Sequence, residues 1–244
     1  MKRKISWALI ILATLLVTVP AFAVPIVPDY DSFGSLPEAT FGGSGIPNDS
    51  VAISYGSYGG FSIKIGLSAT QRYDNPALAN DGAGTFYAIS GGDGAHGQPG
   101  YGRWNFDYYV NFTPELLDQD PQGFTVRLYY DKDPGVDTDP LSYIPIDPIF
   151  INGLTFDSEN SLNLGMASIF GPGFDPNASG EYDFRLAVYH DGDVVADSAI
   201  SVNVNDTGEP PSRVPDKGST LALMSFGIVG LCSIGRYRKA SLKN

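Results

Sequence analysis

Residues 61–70 read FSIKIGLSAT. Phe61, Ile63, Ile65, Leu67 and Ala69 alternate with Ser62, Lys64, Gly66, Ser68 and Thr70. Successive strand side chains point to opposite faces, so this period of two predicts a strand with one buried face. The same pattern recurs on both sides. Toward the C-terminus, Trp104, Phe106, Tyr108, Val110 and Phe112 alternate with Arg103, Asn105, Asp107, Tyr109 and Asn111; then Phe124, Val126, Leu128 and Tyr130 alternate with Thr125, Arg127 and Tyr129. Tyr182, Phe184, Leu186 and Val188 lead into Asp191-Gly192-Asp193, and Ala196, Ser198, Ile200, Val202 and Val204 return. An Asp-Gly step between two alternating runs is a hairpin signal. Toward the N-terminus, Val51, Ile53 and Tyr55 form a shorter run. Ile149–Ile151, with Leu154 and Phe156, and the set Leu162, Leu164 and Met166 are weaker strand candidates.

The 29 glycines and 18 prolines punctuate these runs, and no stretch between residues 24 and 213 carries the three- and four-residue spacing of an amphipathic helix. The expected fold is all-β: a single antiparallel β-sandwich, immunoglobulin-like or jelly-roll-like, over residues 24–203. Its expected core is Phe61, Ile63, Ile65, Trp104, Phe106, Tyr108, Val126, Leu128, Phe184 and Leu186. Tyr182, following Phe174-x-Pro176, is placed to form a tyrosine corner, in which the hydroxyl bonds backbone a few residues upstream.

Both ends differ in kind from this middle. Lys2, Arg3 and Lys4 precede an apolar run ending in Ala21-Phe22-Ala23, the pattern of a signal peptide over 1–23 cut by signal peptidase between Ala23 and Val24. Residues 204–213 (VNDTGEPPSR) read as an extended linker. Residues 214–244 hold Val-Pro-Asp, then the uncharged run LALMSFGIVGLCSIG (221–235), then a basic end with Arg236, Arg238, Lys239 and Lys243. As a helix the apolar run would reach about 22 Å, so it spans a bilayer only with snorkelling or thinning, and its basic flank belongs on the cytoplasmic side.

The lone cysteine, Cys232, lies in that run, so the middle has no disulfides and depends on its core. All 27 acids lie between Val24 and Asp216, against seven of the 15 basic residues. A middle this acidic repels nucleic acid and suits an extracellular domain.

Val214, Pro215, Asp216, Gly218, Ser219 and Thr220, followed by the apolar run and the basic cluster, resemble the C-terminal sorting signal of the PEP-CTERM family of bacterial surface proteins, in its Val-Pro-Asp variant. Lys217 departs from the Gly or Ser more usual there. Phrases of the middle, among them 36–53, 68–77, 96–112 and 159–189, also look like members of that sorted family. The resemblance implies recognition and cleavage by an exosortase-type membrane enzyme, transient anchoring by the C-terminal segment, and a final place at the cell surface or in the extracellular matrix with exopolysaccharide. Those relatives carry no activity that transfers to a residue here.

Catalytic groups are sparse. His96 and His190 are the only histidines, and neither G-x-S-x-G nor H-E-x-x-H occurs. His190, closing a strand beside the Asp-Gly turn, is expected in solvent. Gly92, Gly94 and Gly97 match G-x-G-x-x-G, but Pro99, Gly100 and a strand follow in place of the helix that would face a pyrophosphate. The segment reads as a flexible connection. Asp131, Asp133, Asp137 and Asp139 surround a Pro-Gly turn and are the candidate ligands for calcium, which prefers several oxygens; no other cofactor is expected. Tyr109 and Tyr129, on the polar faces of their strands, are the candidates for stacking on sugar. The reading is therefore of a non-enzymatic envelope or matrix protein, with a carbohydrate-binding module, stabilised by calcium, as the alternative.

Overall fold

A computed structural model describes residues 26–73, 77–116, 123–136, 142–146, 149–151 and 155–211. The signal segment, the linker from residue 212 onward, the sorting motif and tail, Asp137 and Asp139 lie outside the described residues.

Two six-stranded sheets face each other. The first contains β1 (Ser32–Gly34), β2 (Val51–Tyr58), β3 (Phe61–Gln71), β8 (Trp104–Pro114), β12 (Thr155–Leu162) and β11 (Ile149–Ile151), side by side in that order. The second runs β10 (Ser142–Ile146), β9 (Phe124–Tyr130), β13 (Gly180–His190), β14 (Asp193–Asn205), β5 (Thr85–Ile89) and β4 (Ala79–Asn80). A small hairpin, β6 (Gly92–Asp93) and β7 (Gln98–Gly102), and a one-turn helix α1 (Ala167–Phe170) complete it. Pairing is antiparallel throughout, except that Ser201–Asn205 of β14 run parallel to Thr85–Ile89 of β5. The all-β sandwich is the fold the alternating runs imply.

The ten expected core residues are all buried. Phe106 of the first sheet stacks on Phe184 of the second at 4.1 Å between centroids, and Trp104 meets Tyr182 at 5.6 Å and Phe184 at 6.0 Å. Burying these facing apolar rows is the main force that closes the sandwich. The Asp191-Gly192 hairpin forms as expected: both residues have positive φ (50° and 94°), and His190 pairs with Asp193.

The tyrosine corner is present: the Tyr182 hydroxyl donates to the Ala178 carbonyl at 3.1 Å. Burial pushes the phenol up to about 12. Tyr182→Phe keeps the ring packing and loses that one bond, so urea unfolding should show a loss of about 1 kcal/mol. A loss near zero would mean that water replaces the hydroxyl without cost.

Several local expectations are corrected. Val204 and Asn205, read as linker, are the last residues of β14, and Val204 is buried. The glycine segment is ordered, not a flexible connection: it forms β6, a 3-10 turn over Gly94–His96, and β7. His190 is not solvated; its ring packs 4.1 Å from Tyr58 and 4.8 Å from Phe124.

Candidate functional site

Two surfaces gather polar and aromatic side chains, one on the outer face of each sheet.

On the first sheet, cross-strand rows place Gly66, Tyr109 and Glu159 side by side, then Ser68, Asp107 and Ser161. Sequence alternation assigns this face to solvent. The structure instead covers it with residues 35–50. Leu36, Ala39 and Phe41 pack on Val51, Ile53 and Tyr109 as a second apolar cluster. Gly66 makes the approach possible, because a Cβ there would lie 2.9 Å from both Leu36 and Val51 side chains. Glu159 pins the covering segment: its carboxylate accepts from the Thr40 and Phe41 amides, each at 2.8 Å, and from the Thr40 hydroxyl. Tyr109 is therefore buried, not an exposed stacking ring, and burial pushes its phenol well up.

Beneath that cover, Asp107 has no exposed surface and neither carboxylate oxygen has a hydrogen bond of normal geometry. Desolvation pushes its carboxyl up to about 7, and the neighbouring Ser161 and Thr70 hydroxyls offset this only in part. Next to it on the same face opens a cleft of about 260 Å³, bounded by Ser44 and Ile46 of the cover and by Thr70, Tyr73, Asn105 and Ser161.

The rim of the cleft is held from the side by a buried ion pair. Arg72 donates from Nε to Asp93 Oδ2 at 3.0 Å, and from Nη2 to the Tyr73 hydroxyl at 3.0 Å and to Gln98 Oε1. Its guanidinium lies 4.6 Å from the Tyr73 ring and 4.4 Å from Tyr101. The other Asp93 oxygen faces His96 Nδ1 at 2.7 Å. Asn163, also buried, ties the strand ends together: its amide donates to the Gly102 and Trp104 carbonyls and to Asn105 Oδ1, while its oxygen accepts from the Gly102 and Gly165 amides.

On the second sheet, Tyr143, Tyr129 and Arg185 form one row across β10, β9 and β13, and Pro145, Arg127 and Ala187 the next. The Tyr129 and Tyr189 hydroxyls are 2.9 Å apart, and the Tyr129 and Tyr143 rings 5.4 Å. Burial, with the Tyr129 hydroxyl bond, pushes the Tyr189 phenol up to about 12. The Arg127 guanidinium lies 4.8 Å from the Tyr143 ring and 4.9 Å from the Tyr189 ring. Arg185 forks onto Asp197 at 2.6–2.9 Å, whereas no carboxylate among the described residues pairs with Arg127. Tyr129, one of the two stacking residues expected from sequence, thus lies in a larger aromatic and cationic array. Tyr143, Tyr189 and both arginines were missed because their proximity depends on strand order.

The acidic loop is half described. Asp131 Oδ1 accepts from the Asp133 amide at 2.7 Å, and Asp133 Oδ1 from the Gly135 amide at 2.9 Å, so one oxygen of each already closes a turn. Among the described residues, no group of three or more His, Cys, Asp or Glu is placed to hold a metal ion. Among them, too, no helix is long and apolar enough to cross a membrane; the run 221–235 lies outside them.

A scan against protein-family models and a search of curated proteins each found no match.

Proposed function

We propose that this is an exported, non-enzymatic protein of the cell surface or extracellular matrix, whose sandwich contacts extracellular polysaccharide through the outer face of its second sheet. The observation that carries the ligand reading is the array of Tyr129, Tyr143 and Tyr189 around Arg127. Tyrosine offers sugar rings a flat apolar surface with a polar edge. A guanidinium adds fixed hydrogen-bond donors, and no carboxylate among the described residues pairs with Arg127. Tyr143 is 47% exposed, so the platform is open to a chain lying along the sheet.

The route to the surface rests on the two ends of the sequence. Signal peptidase would release the chain after Ala23. An exosortase-type enzyme would recognise Val214, Pro215 and Asp216, with Gly218, Ser219 and Thr220 following, while residues 221–235 hold the site at the membrane.

Binding of the secreted protein to the producing cell's own purified polysaccharide tests the ligand reading. Tyr129→Ala with Tyr143→Ala should weaken retention about tenfold or more, equivalent to about 1.4 kcal/mol. Unchanged retention would remove the face from the account. Intact-mass measurement tests the route: a mature mass that still includes residues 217–244 would overturn the sorting reading.

A further inference from the structure

We infer that the cleft between the covering segment and the first sheet is a separate binding site for one neutral sugar ring. It lies on the opposite outer face of the sandwich from the tyrosine array, so it stands or falls independently of that surface.

Four observations converge on it. The first is size. At about 260 Å³ the cleft falls just under the usual range of small-molecule pockets, about 300–1,000 Å³, which fits a single ring better than a chain. The second is the lining. Thr70 and Ser161 bring hydroxyls and Gln71 and Asn105 bring carboxamides, so the walls offer both donors and acceptors and no charged side chain. That mixture matches the hydroxyls of a neutral sugar. An anionic ligand would meet the buried Asp107 carboxyl alongside and the net charge of −12 around it.

The third is preorganisation. Asn105 donates to Ser161 Oγ at 2.9 Å and accepts from Asn163 at 3.0 Å, so its amide is fixed before any ligand arrives. Ser161 Oγ accepts that bond, and its own hydroxyl proton is drawn toward the neighbouring Asp107 carboxyl, which fixes the lone pairs it turns to the cleft.

The fourth is Tyr73. It is 54% exposed at the mouth and adopts φ of 62°, a left-handed conformation that is costly for a bulky aromatic residue. Such strain persists where surrounding contacts over-determine it, and here Arg72 holds the ring by stacking and by its hydroxyl. The result is a half-exposed aromatic ring, held by the Arg72 guanidinium and the His96 ring, each 4.6 Å from it, and its exposed part stands beside the cleft where one side of a pyranose can rest. Asp107 completes the arrangement from beneath. Its unpartnered carboxyl sits between the Ser161 and Thr70 hydroxyls and biases the direction in which their protons point.

The test is ligand-observed and protein-observed NMR on the secreted protein with methyl glucoside, methyl galactoside and methyl mannoside, and with glucuronate and calcium chloride as separate probes. At least one neutral methyl hexoside should bind at millimolar concentration and shift the resonances of Thr70, Tyr73 and Asn105. Tyr73→Ala should weaken that binding about tenfold, and Gln71→Ala severalfold, while Tyr143→Ala on the other face should leave it unchanged. Gln71 is the last residue of β3 and Tyr73 lies in the turn just after it, and neither is buried, so these variants keep the core intact. Failure of all three hexosides, binding indifferent to Tyr73→Ala and Gln71→Ala, or shifts at the cleft from glucuronate or calcium alone would each overturn the assignment. Loss of binding in Tyr143→Ala but not in Tyr73→Ala would locate the sugar on the tyrosine array and likewise overturn it.

Discussion

Asp107→Asn is expected to stabilise the protein, and to do so increasingly as pH rises. The carboxyl is fully buried without a normal hydrogen bond, and its folded pKa is raised from 3.8 to about 7. The folded state therefore holds this proton more tightly than the unfolded state does. From pH 4 upward the unfolded chain ionises freely while the folded chain resists, so stability falls with pH until about 7 and is flat beyond. The gap of about three units corresponds to about 4 kcal/mol. Asparagine keeps the shape and cannot ionise. Urea unfolding at pH 4 should separate wild type and Asp107→Asn little; at pH 8 the variant should lead by up to about 4 kcal/mol. Parallel pH profiles for the two would show that Asp107 ionises without penalty, through relaxation of the covering segment.

The second large effect runs the other way. Arg72→Met removes the cation from a pair whose side chains are both 6% exposed. It leaves Asp93 charged and buried with only His96 beside it, and it releases Tyr73. Breaking a buried pair from one side costs about 3–5 kcal/mol. Adding Asp93→Asn to Arg72→Met should recover a large share of that loss, because no unpaired charge then remains. A double variant as unstable as the single would show that Arg72 matters for its packing on Tyr73 and Tyr101, not for its charge.

The core of the fold was legible because it depends on local alternation. Phe61 to Ala69, Trp104 to Phe112 and Tyr182 to Val188 each declare an apolar face, and each face is where the two sheets meet. The tyrosine corner and the Asp191-Gly192 hairpin were legible for the same reason: each is fixed within a few residues. Alternation also misled. It marked Asp107 and Tyr109 as solvent-facing, whereas residues 35–50, a proline- and glycine-rich stretch with no period of its own, cover them. The only local hint was Leu36, Ala39 and Phe41, apolar residues in a segment otherwise read as loop. Arg72 and Asp93 were opaque because their meeting depends on how the small β6–β7 hairpin folds back. Tyr129, Tyr143, Tyr189 and Arg127 come from three strands, and only the order β10-β9-β13 makes them neighbours.

That strand order also sets a timetable. β14 is the last strand of the sandwich to be synthesised, yet it lies inside the second sheet, between β13 and β5, and Ala199 bridges to Asp29 at the other end of the domain. A chain emerging N-terminus first can zip β2 to β3 and β3 to β8, but its second sheet has no middle until residue 205 is free. Closure joins segments far apart in sequence, which makes such steps slow. During that wait β5 and β13 present unpaired edges, the feature that invites wrong partners. Completion of the second sheet therefore waits on the last strand, and a nascent chain stopped before residue 193 lacks the strand that joins β13 to β5.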